Sequence, residues 1–101
     1  MSLVLKVSDH VIRKALVALA IERTLLDMGT PVFEKVTSRL FRNYHCYLPD
    51  CHDHPEYLKN VLIDIYGNAH STIVESIREK LEEFIHKKSI AEFVNVISER
   101  K

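Results

Sequence analysis

The seven residues from Ala15 to Ile21 are all apolar, and they constrain the fold more than any other stretch of the sequence. They lie in a longer segment, Val11 to Met28, in which apolar residues recur with a helical period. Ser8 can cap the N-terminus of such a helix, and Gly29 can provide a left-handed C-cap. The pattern predicts one long helix whose middle is apolar on every side. A helix of this kind must also be covered on every side.

Two arrangements could cover this helix. Four short helices of the same chain could surround it, or a second copy of the chain could pack on it. We expect a homodimer, because twofold oligomers are common. A stripe on the predicted fourth helix, at steps of four and three residues, suits a seam against one neighbouring helix. The predicted interface residues are Leu16, Leu19 and Ala20 on the first helix and Ile73, Ile77, Leu81 and Phe84 on the fourth.

The remaining periodic segments predict an all-α fold, a compact bundle of about five helices in a single domain over residues 1–101. Residues 3–7 are mostly apolar and partly β-branched, and we expect an extended arm or a short strand over residues 1–7. Glycine and proline lie between the periodic segments. The second helix is predicted from Thr30, its N-cap, to about Asn43, and the third from a capping box at Asp53 and Glu56 to Gly67. The fourth is predicted from about Ala69 to Lys87. A capping box at Ser89 and Glu92 begins the fifth.

The composition narrows the classes of function. The chain has 14 basic and 14 acidic residues, whereas proteins that coat nucleic acid or dock on anionic membranes need a positive field. Its longest apolar run is far shorter than the roughly 18 to 20 residues that span a bilayer, so we expect no membrane partner. Only two cysteines occur and no secretory leader opens the chain, which predicts a cytoplasmic location with reduced thiols.

Three cations fall in one stripe of the predicted second helix: Lys35, Arg39 and Arg42. Such a stripe can contact phosphates, and a helix after a glycine-containing turn invites comparison with helix-turn-helix proteins. The first helix is too long for that motif, and a charged stripe opposite an apolar one is usually a solvated face. Nucleic-acid binding through these residues is therefore an alternative hypothesis.

The segment from Tyr44 to His54 breaks the helical period and contains both cysteines. Cys46, Cys51 and His54 have spacings found in structural zinc sites, with His45, His52, Asp50 and Asp53 as alternative ligands. No cofactor is expected otherwise. The competing interpretation is structural, with the cysteines as small apolar side chains, a turn at Pro49 and Asp50, and Asp53 as a cap. An oxidised or redox-active cysteine pair is the third alternative.

Catalysis has little support in the sequence. It contains no Gly-rich phosphate loop, nucleophile elbow or HExxH helix. Cations from two subunits could clamp an anionic substrate, but only if they were buried in a cleft. We predict a protein that is not an enzyme and has no catalytic residues.

Two stretches, residues 15–32 and 44–58, resemble the Nitrososphaera output-domain family, small domains of ammonia-oxidising archaea. The most specific part is Tyr-His-Cys-Tyr-Leu-Pro-Asp-Cys at residues 44–51, and the likeness covers about residues 13–97. The resemblance implies a place in signal transduction as an output module, and it assigns no site residues. The leading functional hypothesis is therefore a homodimeric protein-interaction module in archaeal signalling or gene regulation, with an unknown protein partner.

Overall fold

The computed structural model describes residues 8–99, and over this range the chain is all-α, as predicted, with no strand. Short 3-10 turns lie at residues 48–52, 67–69 and 82–84. The arm or strand expected at residues 1–7 lies outside the described residues. The five helices are α1 (Asp9–Met28), α2 (Thr30–Tyr44), α3 (Pro55–Tyr66), α4 (His70–Leu81) and α5 (Lys88–Ser98).

Both ends of α1 are where the sequence predicts them. The Ser8 hydroxyl accepts a hydrogen bond from the Val11 amide at 3.2 Å, and the Gly29 amide donates to the carbonyl of Leu26. Gly29 has φ 129° and ψ 148°, a region that is open essentially only to glycine and differs from the left-handed helical conformation that we predicted. Gly29 also precedes α2 as its N-cap, so the prediction that Thr30 caps α2 is wrong.

The two predicted capping boxes do not form. The N-cap residues of α3 and α5 are His54 and Lys87, neither of which makes a side-chain cap, whereas the side chains of Asp53 and Ser89 both bond to His52. α4 ends at Leu81, earlier than predicted, and a 3-10 turn follows it.

The core contains the inward sides of all five helices. α1 packs on α2, on α4 and on the turn at 48–52, while α3 packs on α5. Within the predicted interface set, Ala20, Ile73, Ile77 and Leu81 are buried inside the single chain, and Leu16 and Phe84 are half-buried against the core. The fourth-helix stripe thus meets its neighbouring helix within the chain.

The middle of α1 is not covered on every side by this chain. Val17, Ala20 and Ile21 are buried, but Leu19 projects from the surface. Only the side of α1 that carries Leu19 therefore remains to be buried by a contact outside this chain. Between residues 8 and 99, no helix has the length and apolar character needed to cross a bilayer.

Candidate protein-binding groove

An apolar groove runs between α1 and α2 and is closed at one end by residues 46–49. Its volume is about 790 Å³. Of the lining residues that the structure describes, Glu22 alone is charged. The lining residues are Ala15, Ala18, Leu19 and Glu22 of α1, Phe33, Thr37, Ser38, Leu40 and Phe41 of α2, and Cys46, Tyr47, Leu48 and Pro49.

The groove exists because small side chains line both helices where they face each other. Ala15 and Ala18 on α1 and Thr37 and Ser38 on α2 all line it. The Thr37 hydroxyl donates to the carbonyl of Phe33 at 2.9 Å, so this polar group is satisfied within its own helix. A partner entering the groove therefore meets few polar groups that need replacement hydrogen bonds.

Larger apolar side chains form the rim. Leu19, Phe41 and Tyr47 are exposed, and the rings of Phe41 and Tyr47 lie 5.5 Å apart between centroids. Fully burying a large apolar side chain is worth roughly 1.5 to 3 kcal/mol. Three such side chains around one groove form a surface that gains stability when it is covered.

A second apolar feature shares Leu19 with the groove. Ile12, Leu19 and Leu26 follow one another at seven-residue steps on α1 and are 43%, 51% and 43% exposed. Seven residues turn a helix by nearly two full turns, so these side chains form a stripe that drifts by only about 20° per step. We call this set the α1 stripe. Of its members, the sequence analysis named only Leu19, although the spacing was visible in the sequence.

Residues 45–54 are held in place by local hydrogen bonds. His45 has φ 51° and ends α2 in the left-handed conformation, and its amide donates to the carbonyl of Phe41 at 2.8 Å. The Asp50 carboxylate accepts from the Tyr47 amide at 3.1 Å, while the Asp50 amide donates to the Tyr47 carbonyl at 2.9 Å. The turn predicted at Pro49 and Asp50 therefore forms, and it fixes Tyr47 at the end of the groove.

Two of the three predicted zinc ligands lie close together. The sulfur atoms of Cys46 and Cys51 are 3.9 Å apart, and both cysteines are buried. The hydrogen bond from Cys51 lowers the pKa of the Cys46 thiol, while that same bond and burial raise the pKa of Cys51. Of the two thiols, Cys46 therefore ionises first.

The third predicted ligand does not join the cysteines. The His54 ring stacks on Tyr57, and its Nδ1 lies 3.6 Å from the Glu56 carboxylate. Over residues 8–99, the side chains whose ligand atoms converge are instead His10, His52 and Asp53. His52 and Asp53 were alternative ligands in the sequence analysis, but His10 was not considered.

Asp53 lies at the centre of this second cluster. Its Oδ1 is 3.0 Å from His52 Nδ1 and its Oδ2 is 3.3 Å from His10 Nε2, with Lys14 Nζ at 3.9 Å. Desolvation raises the pKa of Asp53, but the hydrogen bond from His52 and the charges of His10, His52 and Lys14 lower it below its ordinary value. The carboxylate is therefore held ionised.

The basic stripe of α2 is divided by an ion pair. Arg39 pairs with Asp64 of α3, while Lys35 and Arg42 are exposed. The middle cation of the stripe is thus engaged with a neighbouring helix of the same chain, which weakens the hypothesis that the stripe binds nucleic acid.

No protein-family model, curated protein or solved structure matches this chain.

Proposed function

We propose that this protein is an interaction module that forms a twofold homodimer through α1. The observation that carries the proposal is the α1 stripe, whose three apolar side chains lie exposed at heptad spacing. This spacing is typical of a seam between two helices. The resemblance to archaeal output domains adds the expectation that the module works in signalling or gene regulation, where a dimer presents two identical surfaces to a protein partner.

The stripe fits a second copy of the same helix. Leu19 is its centre, with Ile12 seven residues before and Leu26 seven residues after it. In an antiparallel pair of α1 helices with a twofold axis at Leu19, each Leu19 meets its counterpart and each Ile12 meets Leu26 of the partner subunit. A twofold interface requires this kind of self-complementary surface.

The groove belongs to the same interface because the stripe alone is weak. Its side chains are already about half-buried, so covering the rest gains about 1 kcal/mol for each, or about 6 kcal/mol for the six in a dimer. Association itself costs an estimated 4 to 15 kcal/mol. The exposed rings of Phe41 and Tyr47, next to Leu19 along the groove, supply further apolar area for a second copy that crosses there.

The test is the solution mass of the wild type and of two charged variants. Leu19→Glu places two carboxylates against each other across the twofold axis, and we expect it to give a monomer. Met28→Glu is the matched control, since Met28 is 47% exposed on the same helix but lies nine residues from Leu19, on the opposite side. It should leave the dimer intact.

Light scattering and sedimentation equilibrium measure the mass, and circular dichroism verifies that each variant is folded. A monomeric wild type at roughly 100 μM, a concentration at which micromolar dimers are populated, would contradict the proposal. So would a folded Leu19→Glu variant that remains dimeric.

A redox-responsive module is the second candidate, and the proximity of Cys46 and Cys51 favours it. Their sulfurs need to approach from 3.9 Å to about 2.05 Å to form a disulfide. With hydrogen peroxide as oxidant, the two thiols lose two electrons and two protons, and the peroxide becomes two water molecules. Cys46 lines the groove, so the bond would form next to the proposed interface.

A further inference from the structure

We propose that His10, His52 and Asp53 form a binding site for a divalent transition-metal ion, with zinc as the preferred ion. One ligand atom from each of the three side chains lies within 4.8 Å of the other two. The residues come from different parts of the fold, because His10 is in the first turn of α1 while His52 and Asp53 precede α3. The site is separate from both the groove and the cysteine pair.

The distances suit coordination by a small ion. Zinc binds histidine nitrogen and carboxylate oxygen at about 2.0 to 2.2 Å, so two ligand atoms on one tetrahedral zinc are separated by about 3.4 Å. The Asp53 carboxylate oxygens already lie 3.0 Å from His52 Nδ1 and 3.3 Å from His10 Nε2. The His10 side chain is half-exposed at the surface, so its ring can turn to complete the set.

His52 is fixed in an orientation that suits a ligand. Its side chain is only 5% exposed, and its Nε2 lies 3.1 Å from the Ser89 hydroxyl of α5. When Nδ1 binds a metal, Nε2 carries the proton and donates a hydrogen bond to the Ser89 hydroxyl. Metal-binding histidines usually have such a partner on the second nitrogen, where it sets both the tautomer and the ring orientation.

The donor set selects the class of ion. Two imidazole nitrogens and one carboxylate oxygen suit zinc and neighbouring transition metals, whereas calcium and magnesium prefer oxygen ligands throughout. Three protein ligands leave the fourth tetrahedral position to water. The bound ion would join α1 to the segment before α3, and through Ser89 to α5.

Lys14 opposes the ion and gives an independent test of the site. Its Nζ lies 3.9 Å from Asp53 and 3.7 Å from Asp50, so it competes with a cation for the same carboxylate. Removing this charge by Lys14→Gln should tighten metal binding. A purely structural ion-pair cluster would show no such gain, because it binds no ion.

The experiment titrates the full chain, stripped with a chelator and kept reduced, with zinc chloride by calorimetry and with cobalt chloride by absorption. We expect one equivalent to bind. His10→Gln and Asp53→Asn should each weaken binding by at least tenfold. Ser89→Ala should weaken it by roughly 10-fold to 100-fold, as is usual when a residue that hydrogen-bonds a metal ligand is removed. His54→Gln is the matched control, a histidine of the same segment outside the cluster, and should bind as the wild type does.

Three results would overturn the proposal. The first is the absence of zinc binding by the folded wild type. The second is binding that persists equally in all variants, which would indicate an adventitious surface ion. Finally, the cobalt complex could show a sulfur-to-cobalt charge-transfer band that disappears in a Cys46→Ser Cys51→Ser variant, which would place the ion on the cysteine pair. Circular dichroism of each variant separates loss of a ligand from loss of fold, and His10→Gln changes only a surface side chain.

Discussion

Replacing Ile77 with alanine tests whether the fourth-helix stripe stabilises the single chain or a contact between copies. Ile77 is 0% exposed and belongs to the core that α4 forms with α1. Changing a fully buried isoleucine to alanine typically costs 2 to 5 kcal/mol, since apolar contacts are lost and a cavity remains. For a domain of about this size, each kcal/mol lowers the melting temperature by about 4 to 8 °C.

The measurement uses Leu19→Glu as the background, because the expected monomer removes any contribution from dimer formation. Urea unfolding then reports the stability of one chain. Ile85→Ala is the matched control, the same substitution at a side chain that is 40% exposed, and should cost less because less apolar area is lost. Ile77→Val, with an expected cost of about 0.5 to 1.5 kcal/mol, is a milder version if the alanine variant does not fold.

The reasoning fails if Ile77→Ala and Ile85→Ala destabilise the monomer equally. It also fails if Ile77→Ala leaves the monomer unchanged but lowers the mass of the wild-type assembly. The first result would mean that Ile77 is no better buried than Ile85, and the second that the stripe gains its burial from a second copy.

Two further predictions concern the thiols and the joint between α1 and α2. Mild peroxide should convert Cys46 and Cys51 to an intramolecular disulfide, which mass spectrometry detects as the loss of two hydrogens. The Cys46→Ser variant should not form it. Thiols that stay reduced in the folded protein would contradict the 3.9 Å distance between the two sulfur atoms. Gly29→Ala should destabilise the chain by about 1 to 3 kcal/mol in urea unfolding, because φ 129° is strained for any residue with a Cβ. An unchanged unfolding midpoint would indicate a different backbone conformation at Gly29.

Local signals allowed the helices to be predicted well. Ser8 caps α1 and Gly29 ends it because each acts on backbone groups within three residues of itself. The same reasoning failed at Asp53 and Ser89, because α3 and α5 begin so that His54 and Lys87 stand at the N-cap positions instead. Both bond to His52, and Ser89 is 37 residues away from it in the chain. The bond between His52 and Ser89 forms only where α5 packs on the turn at 48–52.

The groove and the metal cluster could be predicted only in part. Ala15 and Ala18 were visible as small residues on α1, but nothing local indicates that they face Thr37 and Ser38 across a gap. The proximity of Cys46 and Cys51 is a condition of the zinc and redox alternatives, and it is within reach of a sequence argument because the two residues are near in the chain. His10 was missed because 42 residues separate it from His52, and only the packing of α1 on the 48–52 turn brings the two rings to 5.3 Å.

The single residue between α1 and α2 determines how the groove can change shape. The two helices that form the walls of the groove are joined by Gly29 alone, since α1 ends just before it and α2 begins just after it. This short connection prevents the helices from sliding along each other. Widening must instead occur as a rotation about this joint, with small displacements near Gly29 and large ones at the far end, where Cys46 and Tyr47 close the groove. A contact made or broken at that end therefore acts on the angle between α1 and α2 with the longest lever arm about Gly29.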